Sequence, residues 1–91
     1  MATLVWCEGG TRYRSQVTDL VVRLEAPRRV AFDYTHEGES YTLSFDPNPS
    51  GELMAVDREG TVYLGRFTED ASQFVGSYRG AYSGDFELTF P

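Results

Sequence analysis

Three residue types are absent or nearly absent from this chain. It has no lysine and no isoleucine among its 91 residues, and Asn48 is its only asparagine. The codons for all three are rich in A and T, and all eight basic residues are arginine. This usage indicates a genome of high GC content and predicts a bacterial source, but it carries no information about function.

Cysteine and long apolar runs are also scarce. Cys7 is the only cysteine, so no intramolecular disulfide can form, which is typical of cytoplasmic proteins. No stretch approaches the roughly 20 apolar residues of a membrane helix. The first residues lack the basic and then apolar pattern of a signal peptide. We therefore expect a cytoplasmic protein with no membrane partner.

Basic charge is in deficit as well. Acidic residues number 14 against eight basic ones, which gives a net charge of −6. The excess lies in the later part of the chain, because residues 37–91 carry a net −7 and residues 1–36 a net +1. Acidic surfaces repel phosphate backbones, so we expect no nucleic-acid partner. A protein partner should instead present a basic surface.

Alternation of polar and apolar residues with a period of two is the dominant pattern. It runs without a fault through residues 40–45 and 85–90, and it places Val30, Phe32 and Tyr34 on one face of another segment. Turns rich in Gly, Pro, Asp and Glu separate these segments. The pattern predicts a single domain over residues 1–91 with seven to nine strands, near 3–7, 11–17, 20–25, 29–36, 40–45, 52–57, 61–68, 73–79 and 82–90.

The connections between these strands predict the fold. Because every connection is short, strands adjacent in sequence should pair antiparallel in space. We predict an all-β, up-and-down meander that forms a small closed or nearly closed barrel, since closure removes exposed sheet edges. A two-sheet β-sandwich is the alternative. Residues 11–25 fit one bent strand, two strands or a strand with a short helix, with a bend or bulge at Thr18-Asp19.

Residues that could carry catalysis are few and scattered. Nothing in the spacing of Cys7 and His36 makes them a nucleophile and its base, so we interpret Cys7 as a small packed hydrophobe and His36 as a turn residue. The acid pairs at 37/39, 57/59 and 69/70 lie in or beside turns, where we expect them to be exposed. One Cys and one His cannot complete a structural zinc site. We predict no enzyme, no cofactor and no metal site.

Aromatic residues are abundant, with six Tyr, six Phe and Trp6. Most lie on apolar strand faces, and we expect them to fill the barrel. Tyr63 and Phe67 lie on the face opposite Val62 and Leu64, so one of the two sets should point outward. We predict Tyr63, Phe67 and Tyr82 as partner-binding residues, because aromatic side chains are frequent interface anchors.

The up-and-down strand order resembles lipocalin and avidin barrels in general architecture only, since those barrels are longer. A short barrel filled with aromatic rings leaves little lumen. We predict a non-enzymatic protein–protein interaction module, such as a regulator, an inhibitor or an immunity-type partner, that binds through an acidic, tyrosine-bearing outer face. The alternative is a small-ligand-binding β-barrel of lipocalin-like architecture, which an open cavity on the order of several hundred Å³ would favour. The oligomeric state stays open.

Overall fold

Nine antiparallel strands and no helix make up the computed structural model, which describes residues 1–91. One meander sheet contains all of them, in the order β2-β1-β9-β8-β7-β6-β5-β4-β3. The predicted all-β, nearly closed barrel is confirmed, and each strand lies within two residues of its predicted bounds. The strands are β1 (Thr3–Glu8), β2 (Thr11–Gln16), β3 (Thr18–Arg23), β4 (Arg29–His36), β5 (Glu39–Pro47), β6 (Leu53–Val56), β7 (Val62–Phe67), β8 (Gln73–Arg79) and β9 (Ser83–Thr89).

Four tight connections lie at one end of the barrel, which we call the turn end. They join β1 to β2, β4 to β5, β6 to β7 and β8 to β9. In the β4–β5 hairpin both Glu37 (φ 51°) and Gly38 (φ 79°) have positive φ, as a type I′ turn requires. The β3–β4, β5–β6 and β7–β8 connections and both chain termini lie at the opposite end. No segment of the structure is a helix with the length and apolar character needed to cross a membrane.

The segment over residues 11–23 changes its partner midway along its length. β2 pairs with β1, β3 pairs with β4, and Val17 is the single residue between them. The Val17 N–H donates to the Ala2 carbonyl oxygen at 3.1 Å. Asp19 has a φ of 52°, and the β3–β4 register shifts between Thr18 and Val21. The segment is therefore two strands of one bent run with a bulge, and it contains no helix.

The barrel closes where β2 lies against β4 without a backbone ladder. Thr35 N–H donates to Ser15 Oγ at 3.4 Å across this seam. At the turn end Tyr13 of β2 packs on His36 of β4, with ring centroids 4.9 Å apart. Side chains thus complete a wall that backbone hydrogen bonds form elsewhere, and for this reason the barrel is nearly rather than fully closed.

Inward-facing side chains are sorted along the barrel axis. Phe32, Phe45 and Phe74 are buried in the middle and at the opposite end, packed with Leu and Val. The turn end holds the inward-facing Tyr, Trp and His side chains. Burial of the apolar part drives folding, whereas the polar tips require hydrogen-bond partners. The polar groups of the interior are therefore concentrated at the turn end.

Gly65 lets this small interior hold its aromatic rings. It faces inward on β7, and a Cβ at this position would collide with the ring of Phe74 on neighbouring β8. Phe74 is fully buried. The missing side chain therefore makes the space for one of the largest core residues.

Candidate functional site: an aromatic cup at the turn end

A cavity of about 90 Å³ opens at the turn end of the barrel. We call it the aromatic cup. Carboxylates from Glu8, Asp57 and Glu59 line it together with His36, and no arginine does. Its aromatic walls are Trp6, Tyr34, Tyr41, Tyr63, Tyr78, Tyr82 and Phe86.

Strand register brings the tyrosines of the cup together. Tyr34 and Tyr41 are cross-strand partners in the β4–β5 hairpin, and their rings stack with centroids 5.2 Å apart. Tyr63 and Tyr78 are partners on β7 and β8, with centroids 5.7 Å apart. Directly opposed residues of an antiparallel pair share a face, so each inward pair contributes two rings to one wall.

Asp57 anchors the polar side of the cup. One carboxylate oxygen, Oδ1, accepts hydrogen bonds from the backbone N–H groups of Glu59 at 2.9 Å and Thr61 at 3.0 Å. The other, Oδ2, accepts from the hydroxyl of Tyr63 at 3.1 Å. Asp57 is 9% exposed. The carboxylate therefore fixes both the β6–β7 turn and the orientation of a cup tyrosine.

The buried tyrosine hydroxyls stay protonated over a wide pH range. Burial raises the pKa of Tyr63, and hydrogen bonding to Tyr34 and the charge of Asp57 act in the same direction. Burial also raises the pKa of Tyr78 to about 12, with the nearby Glu8 carboxylate adding to the effect. The Tyr78 hydroxyl donates to the Cys7 carbonyl oxygen. The negative charge of the cup therefore comes from its carboxylates and not from its phenols.

The rim of the cup already holds one cation on a tyrosine ring. The guanidinium carbon of Arg58 lies 4.5 Å from the centroid of Tyr41. The same guanidinium lies 3.7 Å from a carboxylate oxygen of Glu39 and donates to the Ser40 carbonyl oxygen. Arg58 thereby covers the outer side of Tyr41 and lies outside the lining of the cup.

The three predicted partner-binding residues occupy different environments. Tyr82 is 64% exposed in the β8–β9 turn, on the rim of the cup. Tyr63 faces the interior, where it packs against Phe45 and Phe86. Phe67 also faces inward, at the opposite end, against Phe74 and Phe90. The outer-face position predicted for Tyr63 and Phe67 is corrected, because register with inward residues of β8 turns both side chains into the barrel.

Two further sequence interpretations are corrected. Cys7 is exposed on the outer face and not packed, because its inward-facing neighbour is Trp6. Asp57 is buried, whereas the other members of the three acid pairs are exposed. His36 packs edge-to-face on Trp6 with centroids 5.1 Å apart, so it is a wall residue as well as the end of β4. Cys7 and His36 therefore point to opposite sides of the barrel wall.

A second concave surface is an open groove on the outside of the barrel. It has a volume of about 930 Å³ and lies over the outer face of β7 to β9. Arg28, Arg66, Asp85 and Glu87 line it with mixed charge. No three or more His, Cys, Asp or Glu side chains gather as a group that could hold a metal ion. Compared with this groove, the aromatic cup is more enclosed and richer in aromatic side chains.

No protein-family model, curated protein or solved structure matches this chain. Function is therefore inferred from the chemistry of the cup and its rim.

The sequence contained a signal for the cup that strand-by-strand reading misses. Tyr34, Tyr41, Tyr63 and Tyr78 each lie a few residues from a turn, and all of those turns are alternate connections of the meander. Alternate turns of an up-and-down barrel meet at the same end. Burial of Asp57 had no comparable signal, because acids at the start of a turn are usually solvated.

Proposed function

We propose that this protein is a non-enzymatic binding module that recognises a partner protein through the rim of the aromatic cup. The observation that carries the proposal is Tyr82, a large aromatic side chain left 64% exposed beside a cup lined by carboxylates and by no arginine. Exposed tyrosines with charged surroundings are typical interface anchors. A regulatory, inhibitory or immunity role would use such a surface.

The partner should present a basic surface. Glu8 and Glu59 stand on the rim, and the whole chain carries a net charge of −6. Complementary charge increases the association rate and disfavours acidic competitors. We also propose that the protein works in the cytoplasm of a bacterium, an environment that suits its exposed and unpaired Cys7.

The size of the cup argues against a lipocalin-like ligand carrier. Pockets for drug-sized ligands span roughly 300–1,000 Å³. Aromatic rings occupy most of the interior here, and the remaining cavity is about 90 Å³. The space suits a single side chain or a small head group rather than a whole lipid or pigment.

An affinity capture experiment tests the proposed function. Wild-type protein, Tyr82→Ser and Val21→Ser are immobilised and exposed to a lysate of a high-GC bacterium. Val21 is 48% exposed on β3, away from the cup, so its substitution is the matched control. We expect wild type and Val21→Ser to retain a basic protein. Tyr82→Ser should retain about tenfold less of that protein, or still less. Equal retention by all three proteins would contradict the proposal.

A further inference from the structure

The wall of the aromatic cup combines two features that bind organic cations. Electron-rich rings of Trp6, Tyr63 and Tyr78 line it, and carboxylates from Glu8, Asp57 and Glu59 add negative potential. The negative face of an aromatic ring attracts a cation within about 6 Å of its centroid. No arginine of the protein fills the cup from within.

The hydrogen bonds of the wall select against cations that carry many N–H groups. Both Asp57 oxygens already accept from protein donors, the Tyr63 hydroxyl donates to Asp57, and the Tyr78 hydroxyl donates to the Cys7 carbonyl oxygen. No buried polar side-chain atom lacks a partner. Inside the cup a primary ammonium would lose water and find these groups already engaged, with only the Glu8 and Glu59 carboxylates at the mouth left as acceptors, which costs free energy. An alkylated ammonium has few or no N–H groups to satisfy.

The volume of the cup fits such a group. At about 90 Å³ it has room for a small group only. A methylated ammonium head group has a comparable size and an apolar surface, which suits contact with aromatic rings.

The rim provides an internal example of the same recognition. Arg58 places a weakly hydrated, delocalised cation over Tyr41 while Glu39 balances its charge. The cup repeats this combination of ring and carboxylate with more rings and in a more enclosed position.

We propose that the aromatic cup binds a methylated or quaternary ammonium group. The site is formed by the Trp6, Tyr63, Tyr78 and Tyr82 rings, with Glu8 and Glu59 at its mouth. This inference adds a small cationic ligand of the cup and its mouth to the proposed binding of a partner protein at the rim.

Titration with choline and its uncharged isostere 3,3-dimethyl-1-butanol tests the inference. Trp6 is the only tryptophan and lines the cup, so its fluorescence reports occupancy. We expect choline to bind with a dissociation constant on the order of 1 mM or tighter, and the isostere about tenfold more weakly. Sodium chloride at the same ionic strength is the control for screening. Equal binding of choline and the isostere, or no response to choline, would overturn the proposal.

Three variants locate the site. Tyr82→Leu removes an exposed rim ring, and Glu59→Gln removes a rim charge; both residues are exposed, so the fold should persist. Glu69→Gln makes the same change of charge in the β7–β8 turn at the opposite end. We expect choline affinity to fall roughly threefold to tenfold in the first two variants and to stay unchanged in the third. An equal fall in choline affinity in Glu59→Gln and Glu69→Gln would show that binding depends on net charge alone, and it would refute a local site.

A final comparison identifies the source of the cation. A short basic peptide carrying trimethyllysine is titrated beside free choline, with the unmethylated peptide as control. Tighter binding of the methylated peptide than of choline assigns the group to a protein side chain, whereas equal affinities assign it to a free small molecule. Equal binding of the methylated and unmethylated peptides would contradict the inference. Because choline binding needs no partner protein, its failure and the failure of the affinity capture are separate results.

Discussion

At the scale of single residues, Asp57 and its donors hold the turn end together. Its carboxylate is the acceptor for two backbone N–H groups of the β6–β7 turn and for the Tyr63 hydroxyl. A buried donor that loses its acceptor costs more than the lost hydrogen bond is worth, because it cannot return to water. Asp57 therefore links the shape of the turn to the shape of the cup.

We expect Asp57→Ala to lower the free energy of unfolding by about 2 kcal/mol, because it leaves the Tyr63 hydroxyl and two backbone N–H groups of the turn without an acceptor. Asp57→Asn keeps an acceptor oxygen and should cost about 1 kcal/mol. Urea unfolding of both variants and of wild type measures these changes in the free energy of unfolding. A change below about 0.5 kcal/mol in Asp57→Ala would show that the network is dispensable.

Alkaline pH should unfold the protein through its buried tyrosines. The pKa of Tyr78 rises from 10.0 in a free tyrosine to about 12 in the fold, so the unfolded chain releases this proton first. The stability that neutral Tyr78 contributes is complete below pH 10 and is lost as the pH rises toward 12. Denaturant unfolding across this range, with tyrosinate absorbance followed in parallel, measures the loss.

The Tyr78→Phe variant is the control for that measurement, because it has no hydroxyl to ionise at this position. Its free energy of unfolding should fall less between pH 10 and 12 than that of wild type. Parallel declines in the two proteins would assign the alkaline loss to other groups.

At the scale of strands, a glycine on β7 leaves the space in which a large side chain of the adjacent strand β8 is buried. Gly65 and Phe74 both face the interior, and the Phe74 ring occupies the space where a side chain at 65 would lie. The outer-face residues of the same strands, such as Arg66 and Ser77, are not constrained in this way. The β7–β8 pair thus depends on one residue without a side chain and one with a large ring.

We expect Gly65→Ala to destabilise the fold by about 2 kcal/mol, because the fully buried Phe74 ring cannot move aside. In a Phe74→Leu background, where the ring is absent, the same change should cost about 1 kcal/mol less. Thermal or urea unfolding of the four proteins in this cycle gives the coupling. Strictly additive costs would mean that Gly65 is needed for some reason other than room for the ring.

At the scale of the whole molecule, closure is the weakest part of the barrel. Eight strand pairs are held by backbone ladders, whereas β2 and β4 meet through Ser15, Thr35 and the ring contact of Tyr13 with His36. A seam with few hydrogen bonds should open before the ladders do. The cup lies at one end of this seam, so opening would also widen its wall.

Hydrogen exchange should detect that seam. We expect the Thr35 amide to exchange faster than amides of the β8–β9 ladder, because its acceptor is a side-chain hydroxyl at 3.4 Å. Ser15→Ala should further increase the exchange rate of the Thr35 amide and lower the free energy of unfolding by about 1 kcal/mol. Ser83→Ala, an exposed serine on β9, is the matched control. Protection of Thr35 equal to that of the ladder would refute a weak seam.

The amino-acid sequence by itself determined the class of fold, the strands and the antiparallel order, because period-two alternation and short turns are local properties. It also determined that Val30, Phe32 and Tyr34 share one face, and all three are buried. Only the tertiary structure decided which face of β7 points inward, since both faces carry apolar residues and register with β8 makes the choice. The bend at Val17, the burial of Asp57 and the gathering of tyrosines into one cup likewise depend on strands far apart in sequence meeting around a closed wall.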